Sequence, residues 1–214
     1  MYKQLQGLVM SLDGVLFNSY PLLKQTYDTI LESHQIEAND YFYELYLDAG
    51  PHAMERAFFH FYQYEPRHQE MREAYVAVLA NQEIHPVALA ILEKAKQANL
   101  KIGLSSGLNR REAKVLVDKL PPWLKEVPLV YYNEVIEGKP ERSTNIKLAR
   151  AMGVDSHDIA SIDATVNGVL GAYEANMKPI YVELFTLRTL RAQKYSLRQL
   201  ETLEEVAEVL GLQI

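Results

Sequence analysis

The sequence predicts an α/β fold: a parallel sheet flanked by helices in a Rossmann-like core, with an all-helical segment inserted after the first strand. Three observations carry this. Short apolar runs closed by turn residues recur at residues 7–12, 100–104, 128–132, 159–162 and 180–182, as expected of strands buried on both faces. Segments of helical period separate the last four runs, which requires crossover connections and therefore parallel strands. Residues 20–81 are helical and aromatic instead, holding eight of the 14 tyrosines.

The elements follow in order. The first run, Gly7-Leu8-Val9-Met10-Ser11-Leu12, stops at the turn pair Asp13-Gly14. Two aromatic clusters come next, Tyr41-Phe42-Tyr43-Glu44-Leu45-Tyr46 and Phe58-Phe59-His60-Phe61-Tyr62-Gln63-Tyr64, broken by Gly50-Pro51 and Glu65-Pro66. Aromatic residues at helical spacing build a small helical core more often than a ligand lid or a partner surface. After Pro86 the residues Ala88, Ile91, Leu92, Ala95 and Ala98 keep a helical period, and residues 109–120, 143–152 and 166–175 read as helices between strands. A closing amphipathic helix over 203–210 sets Leu203, Val206, Ala207 and Leu210 against Glu201, Glu204, Glu205 and Glu208. The expected organisation is a core of residues 1–17 and 86–214 with a helical cap at 18–85, hinged near Asn18-Ser19 and His85-Pro86.

At 214 residues with 48% apolar and 23% charged side chains, the chain can bury a sizeable core. Twenty-two basic against 28 acidic residues give a net charge of −6, which argues against a general affinity for nucleic acid or anionic membranes. With no cysteine, disulfides, thiolate metal sites and cysteine nucleophiles are excluded. The first apolar run is too short for a leader or a membrane span, so a cytoplasmic location is expected. The six histidines show no metal-ligand spacing.

In open parallel sheets, ligands sit beyond the carboxyl ends of the strands. Four such ends carry chemistry here: Ser11-Leu12-Asp13-Gly14, Ser105-Ser106-Gly107, Gly138-Lys139-Pro140 and Asp163-Ala164-Thr165. They supply hydroxyls, an ammonium, two carboxylates and glycine turns with backbone N–H groups, the equipment of an anion and metal site.

Those four segments, in that order, resemble the haloacid dehalogenase-like (HAD) hydrolases, in particular the β-phosphoglucomutase and phosphoglycolate phosphatase branch. The resemblance spans nearly the whole chain. It implies that position 11 is the nucleophile, Asp13 the acid/base, Ser106, Gly107 and Lys139 the phosphate grip, and Asp13 and Asp163 holders of Mg²⁺. The family's first carboxylate, however, is here Ser11. A hydroxyl without an adjacent base is a weak nucleophile and brings no charge to Mg²⁺. Where the branch carries Glu-Asp-Ser, this chain has Ile162-Asp163-Ala164, and Arg142 and Ser143 replace the usual Pro and Asp after Gly-Lys-Pro, which implies a more basic rim. The expectation is thus a protein of phosphatase or phosphomutase type, catalytically impaired, with a weakened Mg²⁺ site or none and a pocket for phosphate or a small phosphorylated ligand.

Alternatives remain at this level. One is a working Mg²⁺-dependent phosphatase in which Asp13 activates water; another is a protein that binds a partner through its aromatic cap. Gly103-Leu104-Ser105-Ser106-Gly107 also matches the Gly-x-Ser-x-Gly elbow of serine hydrolases, with His157 as the only downstream histidine. Ser106 and Asp163 also suit a helix cap or a turn.

Overall fold

The computed structural model describes residues 5–39, 42–43, 50–63, 68–131, 134, 142–184 and 190–214. Strands β1 (Gly7–Ser11), β2 (Lys101–Ser106), β3 (Leu129–Tyr131), β4 (Ile159–Asp163), β5 (Lys178–Val182) and β6 (Arg198–Leu200) form one sheet in the order β3-β2-β1-β4-β5-β6. Every neighbouring pair is parallel. β1 lies inside the sheet because all five of its residues are buried, and a strand that apolar needs cover on both faces. Five strands match the sequence expectation. The sixth, Arg-Gln-Leu, is an exposed to half-buried edge with no apolar run to announce it.

Helices α1 (Tyr20–Ser33), α2 (Gly50–Tyr62) and α3 (His68–Ala80) form the insertion. The remaining helices are α4 (Pro86–Gln97), α5 (Arg110–Val117), α6 (Pro122–Lys125), α7 (Arg142–Met152), α8 (Val166–Glu174), α9 (Leu190–Tyr195) and α10 (Leu203–Leu210). Their starts are chemically marked. Asn109 with Glu112 and Thr202 with Glu205 form capping boxes on α5 and α10, and Thr165 Oγ1 accepts from Gly168 N at the start of α8. The helix expected over 109–120 stops at Val117, and the short α6 and α9 were not foreseen; helices of four and six residues are too brief to show a period.

Strand alternation sends successive residues to opposite faces of the sheet. Leu8, Met10, Ile102, Leu104 and Ile162 join Ile91 and Leu92 of α4 and Leu203 and Val206 of α10 in the main core. Val9 and Ile159 face the other way, onto Leu148 and Met152 of α7 and Ala172 of α8. Each fully buried side chain of this size contributes about 1.5–3 kcal/mol of transfer free energy. Gly103 lets α7 come close: a Cβ there would meet Met152 Sδ at 2.7 Å.

In the insertion Tyr27, Phe42, Tyr43 and Phe58 build a core, while Tyr41, Tyr46 and Tyr64 lie outside the described residues. Phe42 stacks obliquely on Phe58 with ring centroids 5.0 Å apart, and Tyr27 meets Phe58 edge-on at 5.9 Å. Phe42, Phe58 and Tyr27 are fully buried and belong to the same apolar cluster as Leu8 and Leu104. Two links tie the segments by which the chain enters and leaves the insertion. His85 N donates to Leu16 O at 2.8 Å. Lys119, just past α5, donates its ammonium to Ala80 O at 2.8 Å and also to Gln82 O, where the last carbonyls of a helix favour a cation.

The turn after β1 is tight. Leu16 N donates to Ser11 O at 3.0 Å, Phe17 N to Leu12 O at 2.9 Å and Gly14 N to Phe17 O at 2.8 Å. Gly14 has φ +96, a conformation that side chains rarely adopt, and an added Cβ would stand 2.3 Å from Tyr20 Cε2. Gly14→Ala therefore combines backbone strain with a clash; a loss of about 2–4 kcal/mol in urea unfolding is the expected result.

Candidate functional site

The strand order puts the ends of β2, β1 and β4 side by side, and register decides which side chains meet. Ser11 pairs with Ser105 and Val9 with Ser161, and two residues further along the same register Asp163 falls beside Ser11. Alternation then places Ser11, Ser105, Ser161 and Asp163 on one face, the face covered by α7 and α8. There they line a cleft with Thr144 and Asn145 from the first turn of α7, Thr165, Asn167, Gly168 and Gly171 around α8, Ser106, Gly107, and Tyr20 from the insertion. Its cavity volume is about 40 Å³.

Asp13 lies at the edge of this cleft, just past β1, and is only 2% exposed. Its Oδ1 accepts the Ser106 hydroxyl at 2.6 Å and Gly107 N at 3.2 Å, and Ser106 Oγ in turn accepts Leu108 N at 3.1 Å. Donors aimed at the ionised form hold the carboxylate in place. Ser11 Oγ donates to the main-chain oxygen of Asp13 at 2.8 Å, not to a carboxylate. Its proton is therefore spent on an amide carbonyl, which cannot act as a base.

Asp163 closes β4 in a turn. Its Oδ1 accepts both Thr165 N and Thr165 Oγ1 at 2.8 Å, while Thr165 Oγ1 accepts Gly168 N at 3.0 Å. The carboxylate lies flat against Gly168, where a Cβ would come 2.0 Å from Oδ2. Thr165, not Asp163, is the cap of α8, and Asn109, not Ser106, is the cap of α5.

The structure thus brings Ser11, Ser106, Gly107 and Asp163 to one cleft, with Asp13 directly behind Ser106. Lys139, with Gly138 and Pro140, lies outside the described residues. Among the described residues, Thr144 and Asn145 line the cleft, while Arg142 and Ser143, which precede them on α7, do not. Ile162 is fully buried in the main core on the opposite face of the sheet. The serine-hydrolase elbow fails on geometry, because Ser105 sits within β2 near its carboxyl end, whereas His157 precedes β4 at the amino end, bonded to Asp155. Thr144, Asn145 and Ser161 were missed. All three are at most 5% exposed, and the signal available was a polar residue at positions where a helix or strand buried on that face calls for an apolar one.

The resemblance implies Mg²⁺, and the donor chemistry tests the fit. Among the described residues the cleft presents hydroxyls, amides and one carboxylate, Asp163, while Asp13 is turned to Ser106 and Gly107. Among the described residues, no three His, Cys, Asp or Glu side chains converge as a metal site does. Mg²⁺ gives up water reluctantly and is held through carboxylates; these residues do not fit it as a resident ion.

After β3, the Glu134 carboxylate accepts Arg110 Nε at 3.2 Å, Arg110 Nη2, and Lys147 Nζ at 3.2 Å. The Arg110 guanidinium also lies 5.0 Å from the centre of the Tyr131 ring. This node joins α5, α7 and the segment after β3. Burial acts to raise the Glu134 pKa, but the bonds from Arg110 and Lys147 outweigh it and leave the group below its ordinary value.

A family model for haloacid dehalogenase-like hydrolases matches residues 8–176. No match to a curated protein was found. Solved structures with the same fold include a HAD family hydrolase from Deinococcus radiodurans R1 with bound phosphate and sodium, 14% identical with a TM-score of 0.78 over 97% of this chain and 96% of that one. β-Phosphoglucomutase from Clostridium difficile is 19% identical, with a TM-score of 0.72 and 97% of each chain covered. A predicted phosphoglycolate phosphatase from Haemophilus somnus is 14% identical, with a TM-score of 0.76 over 97% of this chain and 98% of that one. Among the described residues, no helix is long and apolar enough to cross a membrane.

Two expectations follow from the geometry. Gly168→Ala drives a methyl group into the Asp163 carboxylate, and a loss of about 1–3 kcal/mol is expected in denaturant unfolding. Because the Glu134 pKa is lowered in the folded chain, its contribution to stability is present above the unfolded value near 4.5 and lost as pH falls through the folded one. The urea midpoint should fall less steeply between pH 5 and pH 3 in Glu134→Gln than in the parent chain.

Proposed function

The chain belongs to the haloacid dehalogenase-like hydrolases, and we propose that it is a phosphate-binding member whose phosphoryl-transfer power is largely or wholly lost. The observation that carries this reading is the Ser11 hydroxyl bound to the main-chain oxygen of Asp13 at 2.8 Å. Attack on phosphorus needs either a charged oxygen at that position or a hydroxyl facing a base. Ser11 has neither, since the Asp13 carboxylate nearby takes its proton-donating contact from Ser106.

The anion-holding half of the crevice is better kept. The start of α7, with Thr144 and Asn145, opens onto the cleft, where a helix N-terminus favours an anion, and Lys139, by resemblance, supplies the countercharge. Phosphate bound in the Deinococcus structure supports the same ligand here. Residues 18–85 act in this reading as a cap over the crevice, with Tyr20 already part of its wall. The intact, buried Asp13 favours one competing reading, slow hydrolysis in which it activates water. Phe59 and Phe61, 47% and 39% exposed on α2, favour another, a protein partner on the insertion.

The deciding experiment is p-nitrophenyl phosphate turnover with and without Mg²⁺, beside calorimetric titration with inorganic phosphate. Measurable phosphate binding with turnover well under about 1 s⁻¹, the lower end of the ordinary enzyme range, is the expected result. Turnover at or above that rate sinks the proposal. Ser11→Asp restores an anionic oxygen and should raise Mg²⁺ affinity at least tenfold; Ile162 is left alone because a carboxylate there would be buried in the main core.

A further inference from the structure

The cleft occupies the carboxyl end of the sheet. At the opposite end, where β4 and β5 begin, a larger recess of about 390 Å³ opens between the end of α8, the start of β5 and the turn from α9 into β6. That volume lies in the ordinary range of small-molecule pockets, about 300–1,000 Å³. Main-chain bonds set its walls: Leu197 N donates to Pro179 O at 2.7 Å, Met177 N donates to Ala172 O at 2.9 Å, and Asn176 turns the chain with φ +59. The recess is therefore formed before anything enters it.

Its chemistry has two halves. Tyr173 and Tyr195 stand with ring centroids 5.4 Å apart and planes inclined at 58°, and Pro179 and Leu197 continue the apolar wall. Tyr173 is 53% exposed, so part of its ring surface is open to whatever occupies the recess. The other half is cationic. Lys178 and Lys194 both line the recess, and among the described residues no Asp or Glu does. The Lys194 ammonium lies 5.0 Å from the centre of the Tyr195 ring. Among the described residues neither lysine ammonium has a hydrogen-bond or ion-pair partner, whereas Lys24, Lys114 and Lys147 all pair with carboxylates. His157, the third basic group, faces Asp155 with Nδ1 at 3.3 Å. In a chain of net charge −6, two such lysines beside open aromatic surface call for an explanation.

Elimination narrows the ligand. A cation is repelled by the two ammoniums, and a sugar would leave its hydroxyls against tyrosine rings, proline and leucine. A wholly apolar molecule makes no use of the lysines. We infer that this recess binds a small aromatic anion, a flat ring carrying a carboxylate. The ring lies against Tyr173 and Tyr195, as offset or tilted aromatic contacts allow, and the carboxylate takes charge-assisted hydrogen bonds from Lys178 and Lys194. The recess shares no lining residue with the cleft, so this inference stands or falls separately from the phosphate reading.

The test is calorimetric titration of the full chain with 2-naphthoate, beside 2-naphthalenemethanol as the neutral analogue and cyclohexanecarboxylate as the non-aromatic anion. Saturable binding of 2-naphthoate with Kd at or below about 1 mM is the expected result, and both analogues should bind about fivefold more weakly or worse. Tyr173→Ala and the double variant Lys178→Gln/Lys194→Gln should each weaken 2-naphthoate by about fivefold. Tyr173 and Lys194 are exposed, so Tyr173→Ala and Lys194→Gln alone should keep the parent Tm; Lys194→Gln, with a loss of about threefold, carries the charge test if the double variant does not fold. Hydrogen exchange should slow at residues 173–179 and 194–197 when 2-naphthoate is bound. No saturable binding, equal affinity for the neutral alcohol, unchanged affinity in Tyr173→Ala or Lys194→Gln, or protection confined to other segments overturns the inference.

Discussion

The crevice depends on the Asp13 carboxylate and its grip on the end of β2. A charge-assisted hydrogen bond from Ser106 and a second contact from Gly107 N fasten the turn after β1 to the turn after β2. Bonds to a charged group are worth about 1.5–3 kcal/mol net, and at 2% exposure little water competes with them. Remove the carboxylate and the Ser106 hydroxyl and Gly107 N lose the acceptor that joins them to the turn after β1. Asp13 therefore explains itself as architecture, whatever chemistry it retains.

That fastening determines what Ser11 can do. The turn curls back so that Ser11 O accepts Leu16 N, while Ser11 Oγ donates to Asp13 O. Main-chain and side-chain groups at this position are both occupied locally. The polar character of the cleft then comes from neighbours on the same face of the sheet, Ser105 and Ser161, and from the two helices that open above them. Glu134, bridging Arg110 and Lys147, ties α7 to α5 and to the segment after β3.

Much of this was legible in the sequence. Apolar runs ending in turn residues placed five strands, and Asp13, Ser106 and Asp163 fell at strand ends as expected. What was hidden depends on pairing across long sequence distances. That Ser161 is on the same face as Ser11 follows only from the register Val9–Ser161, and no local pattern reports register. Asn145 and Thr144 looked like the polar start of an ordinary helix. β6 was unreadable because an edge strand of Arg-Gln-Leu needs no apolar run. Capping by Asn109 and Thr165, instead of Ser106 and Asp163, shows how several hydroxyls and carboxylates near a helix start leave the choice to tertiary geometry.

The contact between Gly14 and Tyr20 has a mechanical consequence. Gly14 belongs to the turn that sets Ser11 and Asp13, and Tyr20 is the first residue of α1; only a hydrogen atom fits between backbone and ring at that point. Two bodies in such close touch cannot slide past one another without one giving way. The start of the insertion and the end of the first strand therefore hold each other in place, with one aromatic ring as the stop between them.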